Sequence, residues 1–136
     1  MTIEELNQLY YLKKEIERNK HRLLEMRELM KTVKSVTDYS KERVQTSAGN
    51  ESSVERIILE IIELQEMLNA QNIQLILLER KIERYIEGIE DAQTRLMFKL
   101  RFIDCKHWEK VAKEIGGGNT ADSCRMACVR FFKKYK

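Results

Sequence analysis

Proline is missing from this 136-residue chain, and glycine occurs only five times. The two strongest helix breakers are thus almost absent. No stretch approaches the roughly 18 uninterrupted apolar residues of a membrane span, so no membrane partner is expected. The opening MTIEELNQLYYLKK is acidic at its front and lacks the basic-then-apolar order of a signal peptide. Cysteine is scarce: Cys105, Cys124 and Cys128 make an odd number, which fits a reducing, cytoplasmic setting. Cys124 and Cys128 lie one helical turn apart, and His107 is the nearest histidine. Together they supply only three ligands at spacings unlike those of a zinc finger, so they read as small thiols in a helical core. His21 and His107 are far apart, and neither sits beside a nucleophile motif. The GGGN run lacks the Lys-Ser/Thr of a phosphate-binding loop and follows no strand. The many glutamates recur on the outer faces of helical patterns, where solvated charge is ordinary. No catalytic, cofactor or metal site and no small-molecule substrate is expected, and the chain reads as a non-enzyme.

What is present is charge and periodicity. Charged residues make up 35% of the chain, which without breakers reads as all-α with long helices. Over residues 3–34, Leu9, Leu12, Ile16, Leu23, Met26, Met30 and Val33 recur in steps of three and four, with Asn19 in the one polar place. Residues 35–52 lose the pattern, are rich in Ser, Thr and Asn, and predict a flexible connection. Ser52 or Ser53 can cap the next helix, with Glu55 favourable in its first turn.

Residues 53–89 carry the strongest pattern: Val54, Ile57, Ile61, Leu64, Leu68, Leu75, Leu78, Ile82, Tyr85 and Ile89, with Gln71 the single polar member. Such a helix would be about 55 Å long and must pack along its length. The first helix can fold back on it as an antiparallel hairpin, which brings Asn19 close to the level of Gln71. The two can then pair and fix register, or both can face a wet edge. Ile58, Ile62, Met67, Ile76, Leu77 and Ile86 lie off the seam and widen the stripe beyond one partner helix. That implies a homodimer or higher homo-oligomer, most simply a four-helix assembly, unless the C-terminal third folds back as the cover.

Charge is unevenly placed. Residues 1–90 carry 14 basic and 17 acidic side chains, and residues 91–136 carry 11 and 5, so the net +3 hides a basic C-terminal third. That asymmetry points to an anionic partner. Gly88 and the EDAQ run interrupt the rod. Asp91 can cap a helix over about 92–103, with Leu96, Met97, Leu100 and Ile103 apolar. A polar DCKH break leads to a helix over about 108–115, with Trp108, Val111, Ala112 and Ile115 on one face. After Gly116, Gly117 and Gly118, read as a loose turn, Thr120 starts a last helix toward Lys136. Two short helices joined by a glycine turn outline a helix-turn-helix, whose second helix enters the major groove of double-stranded DNA. Cys124, Ala127 (or Cys128) and Phe131 would face inward. Asp122, Ser123, Arg125, Met126, Val129, Arg130 and Lys133 would face outward, with Thr120 at the cap and Lys134 near the end. Early residues of such a helix reach base edges, and later Arg and Lys reach phosphates.

FKLRFID at 98–104, WEKVAKEIG at 108–116, TADSCRM from 120 and RFFKK at 130–134 together resemble region 4 of sigma-70-type factors. More narrowly, the stretch resembles the small late-gene regulators of phages and prophages of Gram-positive bacteria, which carry such a region behind a helical N-terminal half. The resemblance covers about a third of the chain. It implies a bacterial host cytoplasm, binding upstream of a promoter, and contact with host RNA polymerase. Two features depart from the pattern: Gly117 and Gly118 lengthen the turn, and His107 stands where a Ser or Thr cap is usual. Nothing in the chain resembles the part of a sigma factor that melts promoter DNA.

The expected fold is therefore all-α: a long antiparallel, coiled-coil-like hairpin over 1–90 for oligomerisation, then a small three-helix helix-turn-helix domain over 91–136. The expected function is sequence-specific DNA-binding transcription regulation. A phage terminase small subunit, which also couples such heads to helical oligomers, is one alternative. A coiled-coil protein–protein adaptor without DNA binding is the other.

Overall fold

The structure, a computed structural model, describes residues 1–39 and 47–135, and it describes side chains outside 35–52. It is all-helical, with no strand among the described residues. The elements are α1 (Ile3–Tyr39), α2 (Ser47–Glu87), α3 (Ala92–Phe98) continued by a π-helical turn (Lys99–Ile103), α4 (Trp108–Ile115) and α5 (Ala121–Lys134). α1 runs past its expected end at 34, and α2 begins ahead of its expected start at 53 and stops at Glu87, short of 89. Ser52 and Ser53 accordingly lie inside α2 rather than capping it, because the helix already begins at Ser47. Of the expected flexible connection, residues 40–46 lie outside the described residues. No described helix is long and apolar enough to cross a membrane.

The chain forms two compact units, residues 14–73 and residues 1–13 with 74–136, and α1 and α2 each run through both. In the first unit the seam is held by Ile16, Leu23, Met26, Ile57 and Leu68, each at most 9% exposed. The polar places in the two heptad series meet there. Asn19 Nδ2 donates to Gln71 Oε1 at 2.9 Å, and Gln71 Nε2 donates to Glu15 Oε2 at 3.4 Å. The paired alternative is thus the observed one. The two amides satisfy each other where the apolar seam would otherwise strand a polar group, and only one register allows it.

The second unit is built on aromatic rings. Phe98 is fully buried, with the rings of Phe102, Phe131 and Phe132 centred 5.3, 5.0 and 5.8 Å away. Leu6, Leu9, Ile82, Ile86 and Ile89 close the same core from the two long helices. The C-terminal third therefore covers Ile86, one of the off-seam residues. Ile58, Ile62, Met67, Ile76 and Leu77 remain 41–64% exposed.

Asp91 caps α3 as expected, accepting the Thr94 N–H at 2.9 Å. The single helix expected over 92–103 is instead an α-helix that loosens into the π turn, where Asp104 N–H reaches back to Lys99 O at 2.9 Å. Met97 and Leu100 are buried, whereas Leu96 is 45% exposed. Lys13 Nζ donates to Ile103 O at 2.8 Å and Arg101 Nη1 to Lys106 O at 3.0 Å, so side chains take up the carbonyls where the turn ends. At the preceding break, Arg95 Nη1 binds Ile89 O at 2.6 Å and Glu90 O at 2.8 Å.

Candidate nucleic-acid interface

α4 is the support. Its Val111 is fully buried and Ala112 is 4% exposed, a small side chain where α5 approaches. His107 occupies the cap position without a side-chain hydrogen bond, and only its carbonyl engages the helix, accepting from Lys110 and Val111 at 3.0 Å each. That cap is as weak as the absence of Ser or Thr suggested. Trp108 is held from two sides, by the edge of Phe102 at 6.5 Å and by the Arg101 guanidinium 4.8 Å over its ring.

The glycine run is a defined turn rather than a loose one. Gly116, Gly117 and Gly118 all have positive φ, at 72°, 67° and 77°. Gly116 combines its φ with a ψ of −156°, a region essentially restricted to glycine. Its N–H closes α4 on Ala112 O at 3.0 Å. Asn119 then returns to Gly116 O twice, through its backbone N–H at 3.3 Å and its side-chain amide at 2.8 Å. Three consecutive left-handed residues turn the chain sharply, and the asparagine locks the result.

α5 starts at Thr120 with a complete capping box. Thr120 Oγ1 accepts the Ser123 N–H at 3.1 Å, and Ser123 Oγ accepts the Thr120 N–H at 2.9 Å. Sequence reasoning placed Ser123 among the outward residues and missed this second role. The side chain is exposed, yet its hydroxyl is already engaged by the cap. The backbone N–H groups of Ala121 and Asp122 open the helix and have no acceptor within it.

Cys124 and Cys128 are each 3% exposed and, with Phe131 and Phe132, attach α5 to the core. Phe132 is an anchor that the inward series omitted. Burial pushes the Cys128 thiol up to about 11, so it is a protonated core side chain at neutral pH. Cys105 lies half-buried with a φ of 57°, and burial raises its thiol as well.

The opposite face carries the expected residues. Thr120, Asp122, Ser123, Arg125, Met126, Arg130, Lys133 and Lys134 are exposed, and Val129 is half-buried along their middle. Asp122 and Arg125 form an ion pair at 3.5 Å with both side chains largely in solvent. Such an exposed pair holds little free energy and yields readily to another anion. A shallow hollow between the starts of α4 and α5 is lined by His107, Trp108, Glu109, Ala121, Asp122 and Arg125. Lys110 and Lys113 of α4 are exposed too and add to the basic surface. The regional charge count signals them, but no motif picks them out individually. By contrast, Lys106 is held in a bidentate pair with Glu114 at 2.7 and 2.8 Å, and Lys99 pairs with Glu87 at 2.7 Å.

Comparison with models of known protein families, with curated proteins and with solved structures finds no match.

Proposed function

We propose that the chain is a sequence-specific transcription regulator of phage or prophage origin that binds double-stranded promoter DNA and contacts host RNA polymerase. In this reading α3, α4 and α5 form a helix-turn-helix like region 4 of sigma-70-type factors, with α5 as the recognition helix. One observation carries it. α5 is anchored by Cys124, Cys128 and Phe131 so that Arg125, Met126, Arg130 and Lys133 project away from the core. Asp122 and Met126, early on that face, are placed for base edges, and Arg130, Lys133 and Lys134 for phosphates. The open N–H groups at the start of α5 suit a further phosphate oxygen. A homodimer would present two such heads, so that paired half-sites are read together.

The test is fluorescence anisotropy on duplexes selected from a random pool, titrated with salt. Arg125→Ala with Arg130→Ala is expected to weaken binding at least about tenfold and to flatten the salt dependence by at least roughly one phosphate contact, that of Arg130. Helicity by circular dichroism should not change, because both side chains are exposed. Undiminished DNA binding by the double variant would show that this face is not the interface.

A further inference from the structure

α2 leaves a second apolar stripe uncovered. Leu59, Ile62, Ile73 and Ile76 are 58%, 44%, 61% and 52% exposed. They belong to one series in steps of three and four: Leu59, Ile62, Glu66, Asn69, Ile73, Ile76, Arg80. α2 is a single unbroken helix from Ser47 to Glu87, so the register along this series is set by the helix alone.

The alternation of apolar and polar places in the series is the same from both ends. Measured from the point between Met67 and Leu68, Leu59 is as far as Ile76, and Ile62 as far as Ile73. The flanking exposed pair Ile58 and Leu77 obeys the same symmetry. So do the polar members: Glu66 mirrors Asn69, and Glu55 mirrors Arg80. A surface that meets its own copy across a two-fold axis brings together residues equidistant from that axis. We propose that this stripe binds the same stripe of a second copy, with the two α2 helices antiparallel and the dyad passing between Met67 and Leu68.

In that register Leu59 and Ile62 of one copy meet Ile76 and Ile73 of the other, and apolar surface covers apolar surface at both ends. At the centre the Asn69 amide of each copy donates to the Glu66 carboxylate of the other. Beyond the apolar layers, Glu55 of one copy faces Arg80 of the other. The contact line from Glu55 to Arg80 is about 38 Å long. A parallel, in-register pairing would instead set Glu66 on Glu66, Glu55 on Glu55 and Arg80 on Arg80, which like-charge repulsion disfavours. The two ends of the stripe are thus complementary to each other and not to themselves, which selects an antiparallel second copy. The inference rests on the homo-oligomer part of the reading above and not on DNA recognition.

Sedimentation equilibrium of the full chain without DNA is expected to give a dimer. Ile62→Glu with Ile73→Glu should raise the dimer dissociation constant at least about a hundredfold, since four carboxylates then face apolar layers. Both positions are exposed, so helicity should hold. As a folding-independent check, Glu55→Arg should weaken the dimer by about threefold to tenfold, and adding Arg80→Glu should restore it. For orientation, chains carrying Ile62→Cys and chains carrying Ile73→Cys are mixed and oxidised, with the unaltered chain as the background control. A covalent dimer in the mixture only is expected. A monomer, a dimer indifferent to the carboxylates, or cross-linking by either single variant alone overturns the proposal. DNA retention is measured separately, so its loss with this dimer intact counts only against the DNA reading.

Discussion

The two compact units hold themselves together by different means. The unit of residues 14–73 relies on a thin apolar seam with one amide pair in it. The unit of residues 1–13 and 74–136 closes around a fully buried ring with aromatic neighbours on several sides. A seam distributes its stabilisation along many similar steps, so losing one step costs little and register becomes the vulnerable property. A ring cluster concentrates stabilisation in a few large side chains, so one loss is felt throughout. The head that presents α5 thus has a fixed shape, and the seam has a fixed alignment.

The contrast breaks most readily at Phe98. Phe98→Ala removes the ring on which Phe102, Phe131 and Phe132 pack, and it should cost about 3–5 kcal/mol in chemical denaturation. A smaller loss would mean that the cluster repacks and is not a concentrated core. Gly116→Ala should cost about 1–3 kcal/mol, although an added Cβ would meet nothing within 4 Å, because the backbone conformation itself is the obstacle. A near-neutral result would mean that the turn relaxes to another path. The smallest effect is expected in the seam. Replacing Asn19 and Gln71 together by Leu should change stability by no more than about 1 kcal/mol, in the direction of stabilisation. Asn19→Leu alone leaves Gln71 Oε1 without its donor beside apolar surface and should be the worse variant. If the single and double variants behave alike, the amide pair does not set the alignment.

Much of this was legible because heptad spacing fixes both face and level. The two polar interruptions at Asn19 and Gln71 sit at matching depths in their series, and the structure joins them. The start of α5 was legible from Thr120, and α4 from the spacing of Trp108, Val111, Ala112 and Ile115. The π turn was not, because reading by period assumes a constant number of residues per turn and Lys99–Ile103 adds one. Leu6 escaped because its step to Leu9 breaks the alternation of three and four, yet it is fully buried in the second core. The capping role of Ser123 was hidden because an exposed hydroxyl at the third helical position looks the same in sequence whether it reaches outward or back. The glycine run reads as slack because sequence shows the freedom of three glycines but not the return of Asn119 to Gly116 O that removes it.

The π turn also bears on how this chain tolerates change in length. Between Lys99 and Ile103 the helical ladder holds one residue more than an ordinary turn would. Deleting one residue there leaves a hydrogen-bonded helix, so the local backbone has a ready alternative. The extra residue is taken up within the widened turn, so the side chains that follow would emerge with nearly the same heading. A one-residue deletion at this point would therefore be absorbed locally, whereas the same deletion in an ordinary helical turn would rotate everything beyond it by about a quarter turn.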